Sequence, residues 1–265
     1  MHKLIIANWK ENPVTERRAL ALFRATAAAA RLRRAAAAGI SVAVCPPFVF
    51  LEQVAGELRR LKPPRPALGA QDVFWEEKGP HTGEVGGKML RALGAEYVIV
   101  GHSERRRWMH ETDVAINRKL KRALTDGLRT ILCVGEPAAV RRKGIASARH
   151  FVEVQLKKDI RGIRGSAAAR RVIVAYEPVW AIGTGKRDKP EDAAAMAAFI
   201  KRSLRKTAGF APRVLYGGSV DGKNIRDYIS LKEIDGALVG GASLRAGEFA
   251  DLLDAASAAP RGKNK

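Results

Sequence analysis

Glu177 occupies a position in the sequence where a carboxylate can act as a base. It directly follows the apolar run 172–176 and precedes a stiff Pro-Val-Trp step and a Gly-rich stretch. This order predicts a buried strand that ends in a base, followed by a loop that closes over it. An ionised, dry and well-placed carboxylate can remove a proton from a carbon next to a carbonyl.

Polar residues also follow other apolar runs. Lys10 ends the sequence Asn-Trp-Lys, and His102 lies within Gly-His-Ser-Glu-Arg. Such donors can stabilise the oxyanion that forms when a proton leaves. If residues 103–107 begin a helix, its positive end favours the neutral form of the imidazole. The Gly-rich turns at 217–219 and 240–241 can bring backbone N–H groups to a phosphate.

Short apolar runs alternate with longer stretches rich in Ala, Arg and Leu, which predicts βαβ units and a parallel sheet. The eight predicted strands are 4–8, 41–45, 67–71, 97–101, 130–134, 172–176, 214–217 and 236–239. The predicted helices are 15–37, 48–61, 87–93, 113–125, 138–159, 190–207, 224–230 and 246–256. Eight units without a linker favour a single-domain (β/α)8 barrel of the α/β class, with outer helices, over an open doubly wound sheet. Function in such barrels lies at the carboxyl ends of the strands.

Length and composition fit this architecture. The chain has 265 residues, 46% of them hydrophobic, which is enough for one large core. We expect a catalytic domain over 1–258 and a polar, disordered tail over 259–265. No apolar run is long enough to cross a bilayer and no secretory signal is visible, so we expect a cytoplasmic protein. Cys45 and Cys133 are expected to be buried, reduced thiols that form neither a disulfide nor a metal site.

The formal net charge of +21 raises the possibility of nucleic-acid binding. The basic residues, however, are scattered among alanines on predicted helices, as at 17–18, 31–34 and 141–143. They do not alternate with aromatic residues, as a stacking surface would require. The pattern favours a solvated surface without a specific nucleic-acid partner, and this surface can attract an anionic substrate over a long range.

Five segments together carry a resemblance to a known family. They are Asn-Trp-Lys at 8–10, Gly-His-Ser-Glu-Arg-Arg at 101–106, the loop at 175–186, Tyr-Gly-Gly-Ser-Val at 216–220 and Gly-Ala-Leu-Val-Gly-Gly-Ala-Ser-Leu at 236–244. Their types and order closely resemble the signature segments of the triosephosphate isomerase family, whose fold is the TIM barrel. The resemblance implies an isomerase of glycolysis and gluconeogenesis. Such an enzyme interconverts dihydroxyacetone phosphate and D-glyceraldehyde 3-phosphate through an enediolate.

The family's site residues can be carried onto matching positions of this sequence. Glu177 would be the base, neutral His102 the electrophile that shuttles protons between the substrate oxygens, and Lys10 the stabilising cation. Asn8 would position the oxygens, and Glu104 would support Lys10. Backbone amides that hold the phosphate would belong to Gly183, Ser219, Gly240 and Gly241. The mobile lid would comprise Pro178, Val179, Trp180, Ala181, Ile182, Gly183, Thr184, Gly185 and Lys186. Neither a metal ion nor an organic cofactor is implied.

The resemblance also implies a homodimer formed through the loop at 71–84, which in the family reaches the partner subunit near its lysine. Thr82, Gly83 and Glu84 fit the family pattern. Departures from that pattern occur at Glu11, Asp72, Pro80, His81 and 85–88. They concern the interface contacts and leave the segments that carry the chemistry unchanged.

Two alternative functions remain open at this point. A related sugar-phosphate isomerase acting on a four-carbon ketose phosphate would keep the same base, electrophile and phosphate-binding turns. A non-catalytic basic barrel that binds nucleic acid would be expected to lose the base or the electrophile. Since Glu177, His102 and Lys10 are all present, the second alternative is the more distant one.

Overall fold

Eight parallel strands close into a barrel in the computed structural model, which describes residues 2–165, 167–182 and 187–259. The strands are β1 (Lys3–Asn8), β2 (Ile40–Cys45), β3 (Ala67–Ala70), β4 (Ala95–Val100), β5 (Arg129–Val134), β6 (Val172–Tyr176), β7 (Arg213–Tyr216) and β8 (Gly236–Val239). Neighbours in the barrel follow chain order, and β8 pairs with β1 to close the sheet. The predicted (β/α)8 barrel is therefore confirmed.

Helices connect the strands and cover the outside of the barrel. Those described are α1 (Glu16–Thr26), α2 (Ala29–Ala37), α3 (Leu51–Arg59), α4 (Gly87–Ala92), α5 (Ser103–Trp108), α6 (Asp113–Thr125), α7 (Ala138–Arg141), α8 (Ile145–Asp159), α9 (Pro190–Ala208), α10 (Ile225–Ile229) and α11 (Ala246–Ser257). Short 3-10 turns lie at Phe48–Phe50, Ala169–Arg171, Val179–Ala181 and Gly241–Leu244. The N-cap of α6 is Thr112, whose Oγ1 accepts the N–H of Ala115 at 3.2 Å.

Alternate residues of each strand face opposite sides of the barrel wall, as the pleat of a strand requires. In β1, Leu4 and Ile6 belong to the interior cluster, whereas Ile5 and Ala7 belong to the core beneath the helices. The interior cluster also contains both cysteines, which are free and buried as expected. Because side chains fill the interior, the barrel is a solid support for the loops at its carboxyl end.

Two predicted helices are interrupted in the structure. The segment predicted at 15–37 divides into α1 and α2 at Ala28, whose ψ of 113° is not helical. The segment predicted at 138–159 divides into α7 and α8 at Gly144, which has φ of +100°. The predicted continuity was therefore wrong at both places.

The described part of the chain ends just after α11, and Ala259 still packs against the core. Residues 260–265 of the predicted tail lie outside the described residues. Among the helices that are described, none has the length and apolar composition needed to cross a membrane. The described side chains of His, Cys, Asp and Glu form no group of three or more that could hold a metal ion.

Candidate active site

A cleft of 410 Å³ lies at the carboxyl end of the barrel. Seven of the predicted catalytic and phosphate-binding residues line it: Asn8, Lys10, His102, Glu177, Ser219, Gly240 and Gly241. The predicted lid residue Ile182 lines it as well. The ends of β1, β4, β6, β7 and β8 thus contribute to one site. Glu104 lies beside Lys10 at the edge of a neighbouring pocket. The predicted phosphate-binding Gly183 and the lid residues Thr184, Gly185 and Lys186 lie outside the described residues.

Glu177 follows β6, and only 2% of its surface is exposed. Its N–H donates to the carbonyl oxygen of Val134 at 2.8 Å, which continues the pairing of β6 with β5. Its Oε2 accepts the N–H of Ser103 at 2.9 Å, and its Oε1 lies 3.1 Å from Nε2 of His102. Because a buried carboxylate needs hydrogen-bond donors, these two contacts determine where the carboxylate sits.

His102 is the N-cap of α5, and its position fixes the proton on the imidazole. Its Nδ1 accepts the N–H of Glu104 at 3.2 Å, so Nδ1 carries no proton. The ring proton of the neutral imidazole is then on Nε2, which faces Glu177. The Nε2 edge of the ring therefore points into the cleft, toward Glu177.

Lys10 adopts a backbone conformation that non-glycine residues rarely use, with φ of +53°. The side chain of Asn8 supports it, since Oδ1 accepts the N–H of Lys10 at 3.0 Å. Gln71 Nε2 donates to the carbonyl oxygens of Lys10 and Cys45, both at 2.9 Å. The ammonium group lies 2.5 Å from Oε1 of Glu104. Neighbouring strands and loops thus hold the lysine charge at the cleft.

Two Gly-rich turns border the same cleft, one after β7 and one after β8. Gly241 opens the 3-10 turn Gly241–Leu244, whose first N–H groups have no acceptor within the turn. Such N–H groups are suited to binding an anion. A Cβ on Gly240 would lie 3.0 Å from Cε of Lys10, so glycine allows the turn and the lysine to lie close together.

The sequence of the chain matches those of known proteins. The family model described as Triosephosphate isomerase matches residues 3–256. The chain belongs to the triosephosphate isomerase family. The triosephosphate isomerase of Moorella thermoacetica is 43% identical over 259 residues, which are 95% of this chain and 97% of the relative. That of Thermus thermophilus is 48% identical over 215 residues, which are 80% and 84% of the two chains. The predictions of this family and of an isomerase are confirmed.

Part of the segment that corresponds to the family's lid is described. Val179–Ala181 forms a 3-10 turn directly after Pro178. Trp180 Nε1 donates to Oε1 of Glu136 at 3.0 Å. Ser219 Oγ donates to the carbonyl oxygen of Ala181 at 2.7 Å. The start of the predicted lid therefore contacts the loop after β5 on one side and the turn after β7 on the other.

Two residues that support the candidate site were not predicted to do so from the sequence. Glu136 follows β5, is fully buried, and accepts hydrogen bonds from Trp180 and from the Tyr176 hydroxyl at 3.1 Å. The sequence did offer a signal for Glu136, namely a carboxylate two positions after the end of an apolar strand, at the same end of the barrel as the base. Gln71 was predicted only as part of the interface loop, yet it holds the backbone of Lys10.

Asp72, a departure from the family pattern, lies in a buried cluster of four charges. Lys119 Nζ lies 2.7 Å from Asp72 Oδ2 and 2.5 Å from Glu111 Oε1. Arg105 contacts the same two carboxylates at 2.8 and 2.5 Å. Burial raises the pKa of Asp72, and the two cations oppose that rise. Since the cluster has two charges of each sign, the extra carboxylate is compensated within the chain.

Replacing Gly217 by Ala should displace the Glu177 side chain. A Cβ there would lie 2.9 Å from Glu177 Cγ and 3.2 Å from the carbonyl oxygen of Tyr176. We expect kcat to fall by about 10- to 100-fold in an isomerase assay, because small misplacements of a reacting group are costly. Gly247→Ala is the matched control, since a Cβ there meets no atom within 4 Å. Equal kcat values for the two variants would contradict this prediction.

Proposed function

We propose that this isomerase interconverts dihydroxyacetone phosphate and D-glyceraldehyde 3-phosphate through an enediolate. The observation that carries the proposal is the convergence of Glu177, His102 and Lys10 on one cleft that Gly-rich turns also line. The names of relatives that are 43% and 48% identical support it.

In this proposal the Glu177 carboxylate removes a proton from C1 of the ketose. The C–H electron pair becomes the C1=C2 double bond, and the carbonyl electrons move to O2. The Nε2–H group of His102 donates to O2, and the imidazole then takes the proton of O1. Glu177 returns its proton to C2, which yields the aldose. The Glu104 amide at Nδ1 of His102 supports this scheme, because it leaves Nε2 as the nitrogen that exchanges protons.

The remaining predicted residues stabilise charge and hold the substrate. Lys10 stabilises the enediolate and the phosphate, and Glu104 orients its ammonium group through their contact at 2.5 Å. Asn8 positions the substrate oxygens. The N–H groups of Ser219, Gly240 and Gly241 bind the phosphate, with Gly183 as a further donor from the part of the lid outside the described residues. The scheme uses no metal ion and no organic cofactor.

Coupled assays of the purified protein, with dihydroxyacetone phosphate and with D-glyceraldehyde 3-phosphate as substrates, test the proposed function. We expect turnover in both directions and a kcat/KM for triose phosphates far above that for four-carbon ketose phosphates. A higher kcat/KM for a tetrulose phosphate would assign the enzyme to the related isomerase class instead. Salt-sensitive DNA binding without isomerase activity would favour the non-catalytic alternative.

We also propose that the segment 178–186 is a lid that shields the enediolate from water. The N–H of Asp188, just after this segment, lies 3.3 Å from the Tyr216 hydroxyl, which can anchor the closed lid. Tyr216→Phe removes this anchor, so we expect more phosphate elimination, measured as methylglyoxal formed per turnover. Tyr97→Phe is the control, because its hydroxyl contacts Arg129 at the opposite end of the barrel. Unchanged methylglyoxal formation in Tyr216→Phe would count against the anchor.

A homodimer through the loop at 71–84 is the proposed assembly. Large apolar side chains are exposed on loops and helices at the ends of β1 to β4: Val14, Val49, Met89, Trp108 and Met109. Exposed apolar surface of this kind favours contact with another protein surface. Sedimentation at micromolar concentration should give a dimer. A purely monomeric sample would reject the assembly, and it would leave the chemistry to be tested by the assay above.

A further inference from the structure

A second cavity, of 870 Å³, lies beside the segment that carries the base. It is larger than the active-site cleft of 410 Å³. Its apolar lining includes Pro137, Phe151, Val179 and Trp180, all of them partly exposed. A concave site of this size with aromatic walls and a few polar groups has the usual form of a small-molecule site.

The charged side chains that line this cavity are all basic. They belong to Arg106, Arg107, Arg141 and Arg142, and the described lining residues include neither Asp nor Glu. Arg106 and Arg141 are already ion-paired, Arg106 with the buried Asp159 and Arg141 with the buried Asp188 and the half-exposed Asp192. Arg107 and Arg142 are exposed and pair with no carboxylate in the described part of the chain. The cavity therefore favours a negatively charged occupant.

The hydrogen bonding of Arg141 independently indicates a negatively charged occupant. Its Nη1 is buried and has no hydrogen-bond acceptor among the described residues, and Oε1 of Glu136 is 3.9 Å away. A buried N–H group without an acceptor costs free energy. An anionic oxygen in the cavity would offset that cost by accepting a charge-assisted hydrogen bond.

We propose that this arginine cavity is a regulatory site for a small anion with a flat aromatic group, of the class of nucleoside 5′-monophosphates. The guanidinium groups of Arg107, Arg141 and Arg142 hold the phosphate, because guanidinium donors match phosphate oxygens in geometry. The rings of Phe151 and Trp180 contact the nucleobase. An inorganic anion would contact only the basic residues of the lining, and an uncharged nucleoside would contact only the apolar ones.

A ligand in the arginine cavity affects Glu177 through two residues that line the cavity, Ser103 and Trp180. Ser103 lines the cavity, and its N–H holds Oε2 of Glu177 at 2.9 Å. Trp180 also lines it, three positions after the base in the same loop. A ligand packed between Ser103 and Trp180 keeps the Glu177 carboxylate hydrogen-bonded to the Ser103 N–H and away from the substrate. It therefore lowers kcat without competing with triose phosphate. This kinetic effect rests on the proposed isomerase function, whereas binding itself does not.

Calorimetric titration of the full-length protein with adenosine 5′-monophosphate tests the site, with adenosine and inorganic phosphate as partial probes. We expect the nucleotide to bind at least about tenfold more tightly than either partial probe, since each satisfies half of the lining. The titration is repeated with glycerol 3-phosphate present to occupy the active-site cleft. Retained binding supports a separate site, and complete loss of binding overturns the proposal.

Matched variants locate the bound nucleotide. The double substitution Arg107→Ser and Arg142→Ser removes exposed side chains and should weaken nucleotide binding by at least about tenfold. The double substitution Arg202→Ser and Arg205→Ser makes the same charge change on the exposed face of α9 and should leave binding unchanged. Equal affinities in the two variants overturn the proposal.

The kinetic effect is measured in the same isomerase assay. In the unsubstituted enzyme, saturating nucleotide should lower kcat by at least about fivefold with little change in KM. Purely competitive inhibition would place the nucleotide in the active-site cleft and overturn the regulatory role. If the protein lacked isomerase activity, the titrations would still decide whether the site exists. An active isomerase that binds no nucleotide would overturn this inference alone.

Discussion

Glu177→Asp should lower kcat by about 10²-fold or more, with a much smaller change in KM. The substitution keeps the negative charge but withdraws the carboxylate by about 1.5 Å, the length of one C–C bond. In the structure the carboxylate contacts Ser103 N and His102 Nε2 at 2.9 and 3.1 Å. A shortened side chain cannot reach the substrate carbon from the same strand end, so the proton-transfer step is slowed. The phosphate-binding turns are unchanged, and substrate binding should therefore persist.

Glu96→Asp provides the control for this substitution. Glu96 is exposed near the start of β4, at the opposite end of the barrel from the cleft, so its shortening should leave kcat unchanged. Single-turnover measurements would show whether the chemical step, rather than product release, has slowed in Glu177→Asp. A kcat for Glu177→Asp within a small factor of the unsubstituted enzyme would remove Glu177 from the role of base.

The barrel and the meeting of the site residues could be predicted because both follow from local patterns. Buried parallel strands need nearly continuous apolar runs, and these runs mark all eight strands of the structure to within a few residues. Polar residues directly after such runs must gather at one end of a barrel. For that reason the sequence alone predicts that Lys10, His102 and Glu177 share one cleft, as they do in the structure.

The residues that hold the site residues in place were harder to predict, because their roles depend on contacts between residues far apart in the sequence. The left-handed backbone of Lys10 is held by the amide of Gln71, which comes from the end of another strand. The charge of Asp72 is balanced by Lys119, which lies on α6. No local pattern in the sequence pairs these residues. Their roles follow only from the closure of the barrel, which brings β1, β3 and α6 together.

The helix breaks show two different limits of sequence reasoning. The break at Gly144 had a local signal, because glycine adopts a positive φ readily and weakens a helix. The break at Ala28 had none, since alanine is the strongest helix former and the surrounding run is rich in it. There, tertiary packing overrides local propensity. Both helices contact α11, but α1 also packs against α3, whereas α2 also packs against β2.

Lys10→Met should lower kcat/KM by about 10³-fold, at the upper end of what loss of one preorganised charge or donor causes in an active site. Methionine is unbranched and of similar length, so it can follow the same path past Gly240. The backbone at φ of +53° is no harder for methionine than for lysine to adopt. Thermal unfolding should therefore change little, while the enediolate loses the cation that stabilises it.

The double variant Lys10→Met and Glu104→Gln separates two roles of the lysine. In the single variant, Glu104 is left as an unpaired negative charge beside the site, where it would itself destabilise an enediolate. Neutralising Glu104 removes this repulsion but restores no cation. If Lys10 stabilises the enediolate directly, the double variant should recover only a small part of the lost kcat/KM. Recovery of most of it would mean that the lysine serves chiefly to neutralise Glu104, and the proposed role would have to be withdrawn.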